Sequence, residues 1–501
     1  MKNPISFGSL GVELVSSMHD AQSRPAQDAP FRICILGDFS GRTSRGVVEP
    51  LRGRAPVPVD RDNVDEVLGR MNVRLRLESA GEGLDVSFAG LDDFHPDHLF
   101  RRIGVFKALR DVRDRLQDTR TFQSALKVLQ GITGETGQVA VQDREPQPSP
   151  SGSLLDLMMG EASAGGGKEG AGSPDMDAFL AAVVRPHLVA REDPEQARLT
   201  AVLDRIVSDL MAEVMHHPSF QALEASWRGV QFLCSRTETD ETLQICLLDI
   251  SARELASDLS THEDLSRTCL YRLLVEDARE KPWAVLIGDY AFGHQDAYTL
   301  GRMARVAAAA GAPFIARAEP SLVGCMSLEG NPDPASWKSF PDPETLAAWD
   351  DLRHLKEAAY LGLVMPRFLL RLPFGRETDA AETFDFEETA EGAVHEHYLW
   401  GNPAYACAYL LARSFVLDGW DMRPGSALEV DSLPLHVYQE GGASVLKPCA
   451  EIALTEAAAD AIMDAGIMPL ATIRDTDTAR LVRFQSLAEP STALAGRWGP
   501  H

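Results

Sequence analysis

The sequence predicts an α/β fold with mixed sheets and flanking helices, made of two related α/β regions packed together. Three observations predict it. Trp283-Ala-Val-Leu-Ile-Gly-Asp-Tyr290 is an apolar run too short for a helix, and Gln295 to Ala310 carries Leu300, Met303, Ala304, Ala307 and Ala308 at helical spacing. Gly311-Ala-Pro313 stops that helix and Pro313-Phe-Ile-Ala316 reads as a second buried strand. Strand, crossover helix and strand form a βαβ unit, which needs a parallel sheet covered on both faces. Second, Val73–Leu77 and Leu84–Phe88 alternate apolar with polar residues, as half-buried antiparallel strands do. Third, Gly37-Asp-Phe-Ser-Gly41 and Gly288-Asp-Tyr-Ala-Phe-Gly293 repeat strand, Gly, Asp, aromatic, the mark of a duplicated structural unit.

The chain in order justifies the remaining elements. Residues 1–30 are a leader with one strand-like run, Leu10–Val15. Residues 31–130 form a first domain, opened by the strand Phe31–Leu36 and its turn Gly37–Gly41. A short helix follows at Asn63–Met71, then the two alternating strands, then one amphipathic helix over Asp97–Gln117 and a short one at Phe122–Leu129. Residues 131–175 are a flexible linker, because Pro146–Ser153 and Ala162–Gly170 hold too few apolar residues to bury a core. Between those tracts lies Leu154-Leu-Asp-Leu-Met-Met159, a candidate short recognition helix.

Residues 176–501 form the second domain. It is mainly helical from Ala178 to Arg236, including Ala201–Met215 and Ser219–Leu233, and continues with the strand Leu243–Leu248. Ser251 with Glu254 three residues on signals a capped helix over Ser251–Leu259. After the βαβ unit come a helix at Glu344–Ala359, strands at Tyr360–Met365 and Phe368–Leu372, and an apolar helix at Gly401–Phe415. Strands at Pro434–Tyr438 and Glu451–Leu454 and a helix at Glu456–Ala465 complete the pattern, which thins out after Phe484.

At 501 residues, 45% apolar and 24% charged, the composition is that of a globular protein with more than one core. The formal net charge is −26, yet residues 1–140 hold 19 Lys and Arg against 19 Asp and Glu. The whole excess therefore lies in 141–501, and an acidic main body argues against nucleic acid or an anionic membrane as partner. The start lacks a basic stretch followed by an apolar one, and no apolar window approaches the length of a membrane span. The seven cysteines are scattered with no CxxC pair, as small core residues of a reducing, cytoplasmic compartment would be.

Sites for chemistry are few. Gly37–Gly41 follows a strand but lacks the GxGxxG spacing and the GK[ST] ending of a phosphate loop. His216-His217 and His395-Glu396-His397 lack the further ligands that a metal requires. Ser124–Lys127 and Ser444–Lys447 match SxxK by letter without the companion motifs. No catalytic residue, cofactor or metal ligand is therefore assigned. Arg367 and Arg371, in Pro366-Arg-Phe-Leu-Leu-Arg-Leu-Pro-Phe-Gly375, sit among apolar residues, where arginine commonly holds a carboxylate at a packed joint. Asp385, Glu387 and Glu388 are the expected partners.

These residues carry a resemblance. His216-His-Pro-Ser-Phe-Gln-Ala-Leu-Glu-Ala-Ser-Trp-Arg-Gly229, Leu286–Tyr290, Ala307–Ile315, Pro366–Gly375 and Tyr398-Leu-Trp-Gly-Asn402 resemble, in order, the large (TssC) subunit of type VI secretion contractile sheaths. Leu36-Gly-Asp-Phe-Ser-Gly41 and Leu91-Asp-Asp-Phe-His-Pro96 are similar to the small (TssB) subunit. The resemblance implies a sheath-subunit-like core in which both subunits are fused. It also implies that the strands which follow the point matching Phe484-Gln485-Ser486 in the family, and interlock its protomers, are absent. Trp227, Trp400 and Asn402 then join Arg367 and Arg371 as structural or interface residues.

The implied function is a structural, non-enzymatic sheath component, with other sheath-type protomers and an Hcp-like inner tube as partners. Leu154, Leu155, Leu157 and Met158 would form the helix recognised by a ClpV-type ATPase. Two other readings stand beside it. One is an accessory relative that caps, nucleates or regulates a sheath made by other subunits. The other is a cytosolic α/β enzyme or small-anion-binding protein, since fold does not fix function.

Overall fold

The apolar runs that begin near Phe31, Leu243, Trp283, Pro313 and Tyr360 all form strands in the computed structural model, which describes residue 7 and residues 25–77, 84–117, 139–140, 189–190, 196–389, 392 and 394–498. The elements begin with β1 Phe31–Gly37, β2 Val57–Val59, α1 Val64–Arg70, β3 Val73–Leu77, β4 Leu84–Phe88, α2 Pro96–Arg102, α3 Gly104–Gln117 and β5 Val139–Ala140. They continue with β6 Val189–Ala190, α4 Gln196–His216, α5 Pro218–Arg236, β7 Leu243–Asp249, α6 Ala252–Thr261, β8 Val285–Phe292, α7 Ala297–Ala310 and β9 Phe314–Ala318. Then come α8 Pro343–Arg353, β10 Leu361–Met365, β11 Phe368–Leu369, β12 Trp400–Gly401, α9 Ala404–Asp418 and β13 Glu429–Val430. The last are β14 Val437–Glu440, β15 Ala443–Leu446, α10 Glu456–Asp464, β16 Ile467–Thr472 and β17 Ala479–Leu481.

The chain divides into two units. One takes Met1–Met71, Leu223–Leu372 and Tyr398–His501; the other takes Asn72–Ala222 and Pro373–His397. The first is built on a nine-stranded mixed sheet in the order β13-β17-β16-β10-β9-β8-β1-β7-β2. From β16 to β7 neighbouring strands run parallel, whereas β2, β17 and β13 pair antiparallel at the two margins. The β8-α7-β9 segment is the expected βαβ unit. Most of the central strands are apolar on both faces, as a sheet covered on both sides requires. Cys34, Leu36, Cys246, Leu248, Leu286, Phe314 and Ala316 join buried residues of α6, α7, α8 and α10 in one core. Ile33, Ile35, Leu247, Ile287 and Ile315 alternate with them, equally buried on the opposite face.

Strand β1 comes from the N-terminal part of the sequence, yet it lies between two strands of the C-terminal part. Phe31–Gly37 pairs residue for residue with Leu243–Asp249 on one side, and Ile33–Leu36 with Val285–Gly288 on the other. Phe31 stacks on Phe415 of α9 at 4.8 Å between ring centroids, and Trp420 Nε1 donates to the Ala29 carbonyl at 2.7 Å. The cysteines are unpaired, and all but Cys269 are buried.

In the second unit, β3 and β4 form an antiparallel hairpin whose Val73, Leu75, Leu77, Val86 and Phe88 are buried. Phe88 stacks on Phe94 at 4.3 Å, and Phe220 meets Phe94 edge-on at 5.8 Å. Helix α3 lies against α4, where Arg113 Nε donates to Asp204 Oδ1 at 2.6 Å. The Asp97 carboxylate accepts the Glu382 and Thr383 amides at 2.9 and 3.0 Å. Val139–Ala140, inside the expected linker, pairs with Val189–Ala190.

Several sequence expectations need correction. The single helix over Asp97–Gln117 is two, broken at Ile103, whose backbone is extended. A straight helix would turn Phe100 and Phe106 toward different sides; the break sets their rings 5.9 Å apart in one core. The helix over Glu344–Ala359 ends at Arg353, and a 3-10 turn, Lys356–Tyr360, follows the extended Leu355. The strand expected at Phe368–Leu372 stops at Leu369, and the one at Pro434–Tyr438 begins at Val437 as half of the β14–β15 hairpin. Glu451–Leu454 is not a strand: Glu451 adopts a left-handed φ of 55°, which no extended ladder tolerates.

Strand β8 runs through Gly288-Asp-Tyr to Phe292, with a register shift between Gly288 and Ala291. After Phe484 the chain does not thin out. Leu487, Leu494 and Trp498 are buried, and the Leu487 amide donates to the Leu361 carbonyl at 2.9 Å. The runs Leu10–Val15, Phe122–Leu129 and Leu154–Met159 lie outside the described residues.

Candidate functional site

Arg371 follows the short strand β11, and Glu224 lies on the first part of α5. Its guanidinium grips Glu224 from two sides: Nε donates to Oε1 at 2.8 Å and Nη2 to Oε2 at 3.1 Å. Arg228, one helical turn after Glu224, donates from Nε to Oε1 at 2.6 Å. Glu224 is 0% exposed. Burial alone would raise its carboxyl, but the Arg371 and Arg228 guanidiniums hold it below the usual glutamate range.

Arg367 is held in the same way by Glu451. Its amide donates to Oε2 at 2.8 Å, while Nε and Nη2 donate to Oε1 at 3.0 and 2.6 Å. The left-handed backbone of Glu451 aims this carboxylate back at β11, where Leu369 N also donates to the Cys449 carbonyl at 2.8 Å. Arg367 lies 5.8 Å from the centroid of the Trp400 ring, and the Lys447 ammonium lies 4.9 Å from that of Tyr398. The expected partners are thus corrected. Glu224 and Glu451 hold these arginines, while Asp385 takes Arg376 Nε at 3.0 Å and Glu387 the Arg376 amide at 3.0 Å. Glu388 accepts the Phe374 amide at 2.7 Å.

Trp227 and Asn402 tie further segments of the same unit. The Trp227 indole donates to the Phe39 carbonyl at 2.9 Å, and the two rings meet edge-on at 5.7 Å. Asn402 Nδ2 reaches the Gly288 and Tyr290 carbonyls, each at 3.2 Å, and Asp289 Oδ1 at 3.3 Å. Its Oδ1 accepts the Ala404 amide at 3.0 Å, so one side chain fixes the irregular stretch of β8 and the start of α9. Burial pushes the Asp289 carboxyl up, against hydrogen bonds from Ser226, Asn402 and Tyr405. Gly229 permits the approach of α5 to α9: a Cβ there would lie 2.5 Å from the Tyr405 ring.

A second ion cluster surrounds the Gly37–Gly41 turn. Asp38 accepts the Arg42 and Thr43 amides at 2.8 and 2.7 Å, so amides that would face a phosphate are already bonded. Arg42 reaches Asp249 at 2.5 Å and Glu254 at 3.0 Å, and Arg54 reaches Glu254 at 2.8 Å. Glu254 also closes the capping box of α6 with Ser251. Against the effect of its burial, Arg54, the Ser251 and Glu49 amides and Arg42 lower it to about 2.

The sequence signal for Glu224 with Arg228 was their i, i+4 spacing on a helix. Glu451 gave none. Among the described residues no group of three or more His, Cys, Asp or Glu could hold a metal ion. His216 stacks on His397 at 3.9 Å, and His217 Nδ1 accepts the Ser219 amide at 3.2 Å. Leu154, Leu155, Leu157 and Met158 lie outside the described residues.

These arrangements join segments distant in sequence through guanidinium–carboxylate pairs and aromatic contacts, which hold an α/β unit together. The comparisons with known proteins agree. The VipB family (EvpB/VC_A0108, tail sheath N-terminal domain) matches residues 197–488, and the VipA family (Type VI secretion system, VipA, VC_A0107 or Hcp2) matches residues 12–131. The chain belongs to the type VI secretion sheath family, with a VipA-type region joined to a VipB-type region in one polypeptide. The type VI secretion system sheath protein TssC1 of Pseudomonas aeruginosa is 38% identical to it over 307 residues, 58% of this chain. That match spans 61% of the length of TssC1. Among the described residues no helix is long and apolar enough to cross a membrane.

Proposed function

We propose that this chain is a structural, non-enzymatic component of a contractile sheath or sheath-like assembly of type VI secretion, working in the cytoplasm. The observation that carries this reading is β1, a strand of the VipA-type region paired on both sides with strands of the VipB-type region. Such a sheet serves as a preassembled building block whose two subunit types cannot drift apart. Its partners in this reading are other sheath-type protomers and an Hcp-like tube. Arg367, Arg371, Trp227, Trp400 and Asn402 keep the block rigid under load.

Electron microscopy of the purified chain, alone and with other sheath subunits, tests the proposal. Filaments or short rings support it. Discrete particles that bind only the ends of a sheath point to the accessory reading, and particles indifferent to sheath subunits overturn both. In the same reading Leu154, Leu155, Leu157 and Met158 form the helix taken by a ClpV-type ATPase, with Leu154, Leu157 and Met158 on one stripe. A peptide spanning 151–164 should bind the ATPase at roughly micromolar Kd, and charging Leu154 and Leu157 to Asp should abolish binding. Equal binding by both peptides removes this role.

A further inference from the structure

The first unit contains an aromatic cavity of about 340 Å³, lined by Leu322, Val323, Trp337, Phe340, Trp349 and His294, with Ala461 of α10 and Ala465 just past it. All of these residues belong to that one unit. Local bonds fix its walls. Trp337 Nε1 donates to the Asn331 carbonyl and the Ser339 amide to the Gly324 carbonyl, each at 2.9 Å. The Phe340 ring packs so close to Gly324 that a Cβ there would lie 2.7 Å from it. His294 meets the Trp349 ring edge-on at 5.3 Å, and burial pushes its imidazole down, so it is uncharged at neutral pH. Arg353, which also lines the cavity, is neutralised by Glu489 at 2.5 Å and donates to the Leu487 carbonyl at 3.2 Å. The cavity is therefore preformed and apolar inside, and it opens at Phe340, a ring left 50% exposed. Ligand pockets commonly span about 300–1,000 Å³, so this one has room for one large side chain.

The surroundings of the mouth are acidic. Residues 329–351 hold Glu329, Asp333, Asp342, Glu344, Asp350 and Asp351, all exposed, against Lys338 alone. Asp342 caps α8 two residues after Phe340, and the exposed Asp460 and Asp464 immediately precede Ala461 and Ala465. Lys447 offsets Glu329 at 3.5 Å, which leaves a clear negative excess. We propose that this cavity takes one large apolar side chain from a basic segment of a partner protein, the anchor being flanked by lysines or arginines that meet the acidic rim. The anchor gains by leaving water for a pocket that is already shaped, and an aromatic-lined pocket concentrates binding energy on one residue. The flanking cations orient the segment and speed its arrival, while the same rim repels nucleic acid and acidic surfaces.

Fluorescence anisotropy of the labelled peptide Gly-Lys-Lys-Phe-Lys-Lys-Gly with the full chain tests the proposal. Binding is expected at low salt with a Kd on the order of 10–100 μM, weakened severalfold by added sodium chloride. Alanine in place of the peptide's phenylalanine should weaken it about tenfold, and glutamates in place of its lysines should abolish it. In the chain, Ala461→Phe fills the cavity and Phe340→Ser removes its mouth, and each should weaken binding about tenfold. Phe340 is half exposed, so its replacement spares the fold. Asp342→Asn, which keeps the helix cap, combined with Asp350→Asn should weaken binding severalfold and flatten its salt dependence. Equal binding of the alanine peptide, or binding that both cavity variants retain, overturns the site. Absence of saturable binding up to about 1 mM overturns it as well. Self-association of the full chain that Ala461→Phe abolishes would assign the cavity to a second copy and overturn the basic partner.

Discussion

Removing Arg371 is the sharpest test of the buried joint. Arg371→Ala takes away the donors at 2.8 and 3.1 Å and leaves a fully buried Glu224 carboxylate with Arg228 at 2.6 Å. Breaking a buried ion pair costs about 3–5 kcal/mol, most of it from the charge left behind. Because Arg228 remains, we expect the lower end, about 3 kcal/mol at pH 7. Urea unfolding followed by tryptophan fluorescence measures it, with Trp227 three residues from Glu224 as a local reporter. The stranded charge predicts a partial rescue: Glu224→Gln in the Arg371→Ala background should recover about 1–2 kcal/mol.

The pH dependence has a definite sign. The folded carboxyl is held below its ordinary value of 4.5, so the cluster stabilises fully above that value and loses its contribution as pH falls through the folded value. In Arg371→Ala the carboxyl rises, and the cost of the substitution should shrink in acid as Glu224 protonates. A cost under about 1 kcal/mol at pH 7, or one that Glu224→Gln leaves unchanged, would refute the reasoning.

Three further outcomes are expected. Gly229→Ala should destabilise by about 1–3 kcal/mol in thermal melts through overpacking against the Tyr405 ring, with Tyr405→Leu restoring part of the loss. Glu254, lowered to about 2 from 4.5, should supply stability that is complete above pH 4.5 and lost as pH falls toward 2; Glu254→Gln should flatten that limb of a pH–stability curve. Cleavage near Gly165 should leave both fragments together through gel filtration, because β1 lies in the ladder of the other fragment; two separate soluble pieces would contradict this.

Elements with strong local signals were legible from sequence. The central strands read as apolar runs because a parallel sheet covered on both faces demands them, and Ser251 with Glu254 marked the cap of α6. Edge elements were not. Val57–Val59, Glu429–Val430 and Ala479–Leu481 are too short for any periodicity to emerge. The helix break at Ile103 depends on where Phe100 and Phe106 must both be buried, which is a tertiary requirement. Nor could spacing reveal that Arg371 reaches Glu224, 147 residues away, or that Arg367 reaches Glu451, 84 away. Acids near in sequence were the reasonable guess, and Asp385 was taken by the nearer Arg376.

The position of β1 was also illegible, and it bears on what joining both regions in one polypeptide does. Residues 197–488 alone would place β7 and β8 on either side of a missing strand, because each pairs with β1 and not with the other. The facing edges of β7 and β8 would then expose unpaired amides and carbonyls, an arrangement prone to misassembly. Supplying β1 from a separate chain makes sheet closure bimolecular. Joining the regions makes it intramolecular, with an effective concentration on the order of millimolar for a linker that can span the sites. The joints described here act on the closed sheet. Trp227 bonds to Phe39 just beyond β1, and Arg42 binds Asp249 at the end of β7 and Glu254 in α6, so both regions are latched where the inserted strand ends. Trp227→Phe and Arg42→Met should therefore loosen β1 first, and amide exchange of Phe31–Gly37 should speed up before that of Leu361–Met365.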